Sequence, residues 1–280
     1  MSAIEHDRLD AQAVAIAEMI GGTPFLGLDH INASADKMVD VGCGTGAATV
    51  QMAAMFPSAT VYGMDLSRVP EAVVRSAPAN ILWMESNILD VDYSKPSGYV
   101  VDGGLFAPGG LDYFFGRLLF MGIDDWPKFF SVAAKLLKSG GIIEHQDLDW
   151  SLYRVGMSEC PISDPEWRRA MLSAVQHSGL STHAGSDAAS HMKNAGLPVI
   201  SVQTFEFSHM PSDKTPDSRA VGRYVQSKIK PHVPQLLRKI LKRQGIADEK
   251  IEVLAKECIR DYSSEEGLHQ KYTVTVARKT

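Results

Sequence analysis

The stretch Lys37-Met-Val-Asp-Val-Gly-Cys-Gly-Thr-Gly-Ala-Ala-Thr-Val50 decides the fold of this 280-residue chain. It opens with a short apolar run that only Asp40 interrupts, and three glycines then follow at alternate positions. An apolar run that ends at glycines and continues into an alanine-rich segment predicts a strand, a tight turn and a helix. Glycine lets the backbone turn sharply and approach a ligand, and the first N–H groups of the helix point at that ligand. The stretch therefore predicts a cradle for a nucleotide-type cofactor at Gly42, Gly44 and Gly46.

Two cofactors fit such a cradle. The G-x-G-x-G spacing resembles the S-adenosylmethionine (SAM) loop of class I methyltransferases, whereas Gly42-x-Gly44-x-x-Ala47 also satisfies the relaxed dinucleotide fingerprint. Asp40 favours SAM, because a carboxylate would repel a pyrophosphate but suits the cationic methionine end of SAM. An ordinary glycine-rich turn without a ligand is the third interpretation.

Composition limits the class of protein. Hydrophobic residues make up 45% and charged residues 22% of the chain, which is typical of a globular protein with a full core. The net charge of −5 argues against nucleic-acid and membrane partners. Three widely spaced cysteines, Cys43, Cys160 and Cys258, indicate free thiols in a reducing compartment, and the amino end does not resemble a secretory signal. We expect a cytoplasmic protein with a small-molecule partner; its oligomeric state is open, and a homodimer is one option.

Strand and helix patterns alternate along the chain. A helix is predicted over residues 3–20 and another over 126–137, and longer helical stretches over 164–196 and 216–268. Residues 91–110 are predicted to be a long loop. Strands are predicted at 38–41, 59–64, 81–84, 111–119, 141–148, 199–207 and 271–278. The alternation predicts a doubly wound, mostly parallel α/β sheet that binds its ligand outside the carboxyl ends of the strands.

The chain is predicted to form one domain over residues 1–280. Its parts are an N-terminal helical segment (1–30), a SAM-binding core (31–150) and helical lid insertions at 151–196 and 211–270. Within the core, Asp65 ends the second predicted strand about 20 residues beyond the glycine loop, where an acid can accept bonds from a ribose. Both candidate cofactors carry that ribose, and Asp65 could alternatively initiate the following turn.

Several segments occur in the order seen in one known family. They are residues 5–12, 40–46, 56–67, 116–127, 137–141 and 269–279. Together they resemble the LaeA-like family of fungal class I SAM-dependent methyltransferases, many of which act in secondary metabolism. The resemblance implies a Rossmann-like sheet whose last strand pairs antiparallel at the edge, and it implies SAM as the cofactor.

The resemblance also implies a set of cofactor-binding residues. Those for the methionine end are Asp40, Gly42, Gly44 and Gly46; those for the ribose are Asp65 and Leu66; Asn87 and Ile88 flank the adenine, and Arg117 faces the cofactor.

Catalytic candidates lie along the fifth predicted strand. His145, Asp147 and Asp149 alternate with other residues and therefore share one face of the strand. Histidine is the commonest general base for a hydroxyl acceptor, so His145 is one candidate, with a core histidine as the alternative. Asp147 and Asp149 could instead bind a divalent metal, but without a third ligand we predict no metal. Candidate walls for an aromatic or polyketide-like acceptor are Phe120, Met121, Trp150 and Tyr153.

These observations predict a SAM-dependent methyltransferase that acts on a small molecule, with a hydroxyl of a fungal secondary metabolite as the acceptor. Two alternatives follow from the same fold. One is a LaeA-like regulatory protein of secondary metabolism. The other is an enzyme that retains SAM but catalyses a rearrangement or cyclisation without methyl transfer.

Overall fold

The computed structural model describes residues 3–31, 34–90, 99–101, 104–106, 108–156, 165–262 and 264–280. Its strands are β1 (Lys37–Val41), β2 (Thr60–Asp65), β3 (Ile81–Glu85), β4 (Tyr99–Val101), β5 (Gly104–Phe106), β6 (Leu111–Arg117), β7 (Leu137–Tyr153), β8 (Val199–Ser208) and β9 (His269–Arg278). Its α-helices are α1 (Ala3–Met19), α2 (Ala47–Met55), α3 (Glu71–Ser76), α4 (Trp126–Leu136), α5 (Glu166–His177), α6 (Ala184–Asn194), α7 (Arg219–Tyr224), α8 (Val233–Leu241) and α9 (Asp248–Asp261).

Seven strands form one sheet in the order β3-β2-β1-β6-β7-β9-β8. The pairs β3–β2, β2–β1, β1–β6 and β6–β7 are parallel, and β9 runs antiparallel to both β7 and β8. The central strands are buried on both faces, which a parallel sheet covered by helices requires. The predicted fold class, a mostly parallel doubly wound sheet with an antiparallel last strand, is confirmed.

The position of the last strand corrects the sequence prediction. We expected β9 at the edge of the sheet, but it lies between β7 and β8, and β8 forms the edge. The physical reason is backbone pairing: β9 is bonded to β7 along one side and to β8 along the other, which satisfies its N–H and C=O groups in both directions. Ile200 and Val202 of β8 are 42% and 51% exposed, as an edge strand allows.

Other boundaries also differ from the predictions. The fifth predicted strand, expected over 141–148, extends as β7 from Leu137 to Tyr153, because its far end is buried beneath the lid helices. The short helix α3 was not predicted. None of its residues is buried, so its sequence lacks the periodic apolar residues that indicate a helix. The described part of the predicted 91–110 loop contains the antiparallel pair β4–β5, and the rest of that segment lies outside the described residues.

Helices cover both faces of the sheet. Helices α1, α2 and α7 contribute to an apolar cluster with Met38, Phe115 and Tyr272 on one face. Helices α4 and α6 bury the other face with Phe114 and Ile143. Helices α5, α8 and α9 form a third cluster above the end of β7, and we call these three helices the lid. Within the described residues, no helix is both long and apolar enough to cross a membrane.

Candidate active site

The glycine turn joins β1 to α2 at the carboxyl edge of the sheet. Gly42, Gly44 and Gly46 have φ angles of 69°, 58° and 83°, in the left-handed region that side chains disfavour. A Cβ atom at Gly42 would overlap the Leu119 side chain, and one at Gly46 would lie 2.5 Å from the Trp83 ring. The backbone N–H of Gly42 donates to the carbonyl of Met64 over 2.7 Å, which ties the turn to β2. The turn is therefore the open backbone cradle that the sequence predicted.

Asp40 lies at the base of this cradle and is only 2% exposed. Its Oδ2 accepts a hydrogen bond of 2.6 Å from the hydroxyl of Thr49 on α2. Burial raises the pKa of Asp40 to about 6, and the Thr49 bond and the positive charge of Arg117 oppose that rise. A cationic ligand group beside Asp40 would favour the ionised carboxylate.

Asp65 has the turn-initiating role that was one of its two interpretations, and its contact with a ribose stays a prediction. Its Oδ2 accepts the N–H of Gly44 over 2.9 Å, and its Oδ1 accepts the N–H of Ser67, also over 2.9 Å. The first bond positions the glycine turn and the second initiates the turn after β2. Each carboxylate oxygen keeps a further lone pair, so Asp65 can still accept a bond from a ribose hydroxyl.

Arg117 ends β6 on the same side of the sheet as Asp40. Its Nη1 is buried, and none of the residues that the structure describes offers it a hydrogen-bond partner. A buried donor without a partner costs free energy, so this position suits an anionic ligand group. The methionine end of SAM carries one ammonium and one carboxylate, which match Asp40 and Arg117 in turn. The residues present therefore fit SAM.

The adenine side of the cradle is less complete. Asn87 uses its Oδ1 to accept the N–H of Leu89 over 3.0 Å, which forms a tight local turn. Ile88 is 3% exposed and packs in the apolar core, whereas Leu66 is 64% exposed beside Asp65. Contacts of these side chains with adenine stay predictions.

The N-terminal helix α1 covers the glycine turn, a feature that composition and periodicity did not reveal. Asp10 accepts a bond of 2.7 Å from Thr45, and Leu9 lies 3.4 Å from the Cβ position of Gly44. The Tyr224 hydroxyl on α7 accepts bonds from Arg8 over 2.9 Å and from Gln12 over 3.0 Å. The signal that could have found this contact is the family resemblance of residues 5–12.

His145 and Asp147 are buried side by side under α4 and share one face of β7. The His145 ring lies 4.9 Å from Trp126 and 5.4 Å from Phe130, measured between ring centroids, and is 1% exposed. Asp147 Oδ2 lies 3.3 Å from His145 Nε2 and accepts the N–H of Leu119 over 3.0 Å. Burial raises the pKa of Asp147, and the neighbouring His145 and the backbone N–H groups of Leu148 and Leu119 oppose the rise. Asp147 thus holds the turn that seats Leu119 against Gly42.

Asp149 is also buried and has a structural contact. It accepts the N–H of Ser186 over 3.0 Å and the hydroxyl of the same residue, which anchors α6 to β7. Among the described residues, no group of three or more His, Cys, Asp or Glu side chains could hold a metal ion. Each of the three side chains is buried and contacts protein in the interior. The direct catalytic roles of His145, Asp147 and Asp149 therefore stay predictions.

The predicted acceptor walls separate into two groups. Trp150 lines a cleft beneath the lid, and the Phe120 ring meets it edge to face at 5.2 Å. Tyr153 points to the other face of β7, where it stacks on His269 at 6.0 Å. Met121 is 41% exposed. The structure therefore brings together Trp150 and Phe120, and it adds Trp167 and Tyr262, which the sequence did not indicate.

A seven-stranded sheet with one reversed strand, together with a glycine cradle between Asp40 and Asp65, defines a class I SAM-dependent methyltransferase. The chain belongs to the Methyltransferase domain family, whose model matches residues 14–202. The cofactor is SAM, which decides between the two cofactors that the glycine spacing left open.

Two relatives support the LaeA-like resemblance. The chain is 25% identical to "Secondary metabolism regulator laeA" of Coprinopsis cinerea, over 98% of this chain and 68% of that protein. It is 26% identical to "Methyltransferase str3" of Strobilurus tenacellus, over 78% of this chain and 71% of that protein. The predicted family resemblance is confirmed.

A solved structure supports the fold. Phosphoethanolamine N-methyltransferase 2 of Haemonchus contortus, in complex with phosphomonomethylethanolamine and S-adenosylhomocysteine, superposes with a TM-score of 0.54 at 17% identity. The match covers all of this chain and 60% of that one. At this identity the likeness concerns the fold alone.

Proposed function

We propose that this methyltransferase transfers a methyl group to a hydroxyl of a small molecule of fungal secondary metabolism. The observation that carries the proposal is the cradle, where the buried acid Asp40 and the unpaired guanidinium nitrogen of Arg117 flank the glycine turn. The two relatives, one named as a methyltransferase and one as a regulator of secondary metabolism, support the metabolic setting.

In this proposal the chain holds SAM through complementary charges. Asp40 binds the ammonium of the methionine end, Arg117 binds its carboxylate, and Asp65 accepts a bond from the ribose. Bound SAM supplies an electrophilic sulfonium methyl group. Because that group is already activated, the protein mainly has to align the acceptor and exclude water.

The lid supports a small acceptor. Helices α5, α8 and α9 enclose the apolar surface of Trp150 and Leu152 above the end of β7. An enclosed apolar region is the usual lining of a small-molecule site. We also propose a cytoplasmic location, because the buried Cys43 and Cys258 carry free thiols, which a reducing compartment maintains.

Calorimetric titration with SAM tests the cofactor part of the proposal. Asp65→Ala removes the ribose acceptor and releases Gly44, and Gly44→Val puts a β-branched side chain at a φ of 58°. Both variants should bind SAM severely more weakly than the wild type. Wild-type affinity in both would show that the cradle is not the SAM site.

Metabolite profiling tests the acceptor part. A strain that lacks the protein should lose one methylated product and accumulate its hydroxyl precursor, which the purified protein should then methylate. If the product instead keeps the hydroxyl free and carries the new methyl group on nitrogen, sulfur or carbon, the hydroxyl assignment is wrong. Methyl transfer itself would still be supported.

A second candidate function is a LaeA-like regulator of secondary metabolism. The specific observation in its favour is that the match to the regulator of Coprinopsis cinerea extends over 98% of this chain. Affinity purification from cell extract distinguishes the two functions. Stable association with regulatory proteins, together with the absence of any methylated small molecule, would favour the regulator.

A further inference from the structure

A small cleft lies between the lid and the end of β7, apart from the glycine cradle. Its aromatic walls are Trp150, Trp167 and Tyr262, and its polar lining is Arg168 and Gln270. The cleft encloses about 10 Å³, which is room for one polar atom or one water molecule. A ligand would therefore place a single atom inside and its remaining atoms at the mouth.

Two hydrogen-bond donors at this cleft have no acceptor. Trp150 Nε1 and Arg168 Nε are buried, and the described part of the chain contains no partner for either. Trp150 as a whole is only 8% exposed. Unpaired buried donors are unfavourable, so the arrangement is complete only when an oxygen atom binds there. Trp167, by contrast, already donates its indole N–H to Asp261 over 2.7 Å.

The remaining polar groups are engaged and hold the wall in place. Gln270 donates from Nε2 to the Asp149 carbonyl over 2.8 Å, which turns its Oε1 toward His209 Nε2 at 3.3 Å. An amide oxygen only accepts, so His209 carries its proton on Nε2. Burial lowers the pKa of His209 to about 4, and the neutral ring stacks on Tyr262 at 4.3 Å with an interplanar angle of 5°. Tyr262 is thus a rigid, flat wall.

The cleft lies beyond the carboxyl ends of the parallel strands, because Trp150 follows Gln146, the strand partner of Arg117, by four residues. Phe120 follows Arg117 by three residues and meets the Trp150 ring edge to face at 5.2 Å. Phe120 therefore connects the end of β6, where the cradle lies, with the lid.

We propose that the cleft binds a carbonyl oxygen of the methyl acceptor. Trp150 Nε1 and Arg168 Nε donate to that oxygen, and the remaining atoms of the acceptor lie at the mouth of the cleft. The inference rests on the proposed function, since it describes the acceptor of the same reaction. Ketones, amides and carboxylic acids share this oxygen, and Arg168 would add a charge contact for an acid.

Ligand-observed NMR titration of the full-length protein, saturated with SAM, tests the proposal. The probes are acetophenone, ethylbenzene as the matched compound without the oxygen, and benzoate as the charged form. Acetophenone should bind about fivefold more tightly than ethylbenzene, the range expected for a net gain of one or two hydrogen bonds. Benzoate binding tighter than acetophenone would support an acid as the acceptor, and weaker binding would support a neutral carbonyl.

Variants connect the result to the two donors. Trp150→Phe keeps an aromatic ring without the N–H, and Arg168→Gln removes the charged donor. Each should weaken acetophenone severalfold and leave ethylbenzene unchanged. Arg169→Gln alters the exposed neighbouring arginine and is the matched control, with no expected effect. Circular dichroism and SAM titration show whether each variant is folded.

The outcomes separate this inference from the proposed function. The inference is wrong if the wild type binds SAM but binds acetophenone and ethylbenzene equally, or binds neither. Trp150 Nε1 and Arg168 Nε would then donate to a bound water molecule. Unchanged acetophenone affinity in both Trp150→Phe and Arg168→Gln would also overturn it. Failure of the wild type to bind SAM would instead overturn the proposed function.

Discussion

The cradle and the lid cleft are built in opposite ways. The cradle comes from one continuous segment, in which β1, the glycine turn, α2 and β2 follow each other and Asp65 bonds back to Gly44. The cleft combines Trp150 from β7, Arg168 from α5, Tyr262 after α9 and Gln270 from β9. Local geometry therefore defines the glycine turn of the cofactor site, to which Arg117 of β6 is added, whereas tertiary packing defines the whole of the proposed acceptor site. Substitutions in the cradle should therefore affect SAM binding, and substitutions in the cleft should affect binding of the acceptor.

The largest effect is expected at Gly46, where a Cβ atom would meet the rigid ring of Trp83. In Gly46→Val the side chain would enter the left-handed region and meet the Trp83 ring at 2.5 Å, so the turn has to move. We expect SAM affinity to fall at least about a hundredfold by calorimetry, equivalent to about 3 kcal/mol. Gly245→Val is the control, because Gly245 has a similar φ of 73° but no neighbour within 4 Å. Equal effects of the two variants on SAM binding would contradict this explanation.

Asp147→Ala tests whether the buried face of β7 supports the cradle. The change removes the acceptor of the Leu119 N–H and leaves the adjacent residue Leu118 at a φ of 54° without that restraint. We expect the free energy of unfolding to fall by about 3 kcal/mol in urea titrations, and SAM affinity to fall with it. Asp147→Asn keeps one acceptor oxygen and should restore part of both. A stable Asp147→Ala protein that binds SAM normally yet lacks activity would instead favour a direct role in catalysis.

Asp40→Asn should change stability and binding in opposite directions. The folded-state pKa of Asp40 is raised to about 6 from 3.8, so its contribution to stability is full below pH 3.8 and is lost as the pH rises through about 6. Above pH 6 the variant should therefore be more stable than the wild type, by up to about 3 kcal/mol.

SAM affinity of Asp40→Asn should fall roughly tenfold at pH 8, because the ammonium loses its ionic partner. The wild type should also lose affinity as the pH falls through about 6, and Asp40→Asn should lack that dependence. Urea unfolding and calorimetry at pH 5 and pH 8 measure both quantities. A pH-independent wild-type affinity would show that Asp40 does not bind the cofactor.

The smallest effect is expected where α1 meets the cradle. Thr45→Val removes the hydrogen bond to Asp10 with little change in volume. We expect SAM affinity to fall twofold to fivefold, about 0.5–1 kcal/mol, because the bond is partly exposed. Thr182→Val, at an exposed threonine hydroxyl near the lid, is the control. An effect as large as that of Gly46→Val would mean that α1 itself binds the cofactor.

Sequence reasoning predicted the cradle better than it predicted the chemistry around the acceptor. The alternation of strands and helices identified the seven sheet strands, and Asp40 and Asp65 lie where their spacing indicated. His145 was expected to face the acceptor, yet it is enclosed by Trp126 and Phe130. Spacing along a strand shows which residues share a face, but it does not show which helix covers that face.

The sequence by itself determined the glycine turn of the cofactor site, because a turn between a strand and a helix is a local structure whose parts are adjacent in the chain. Only the tertiary structure decided that β9 lies inside the sheet, that Asp147 holds the turn over Gly42, and that Trp150 meets Arg168 beneath the lid. Each of these depends on contacts between residues far apart in the chain. Such contacts form through burial of apolar surface, which no local pattern specifies.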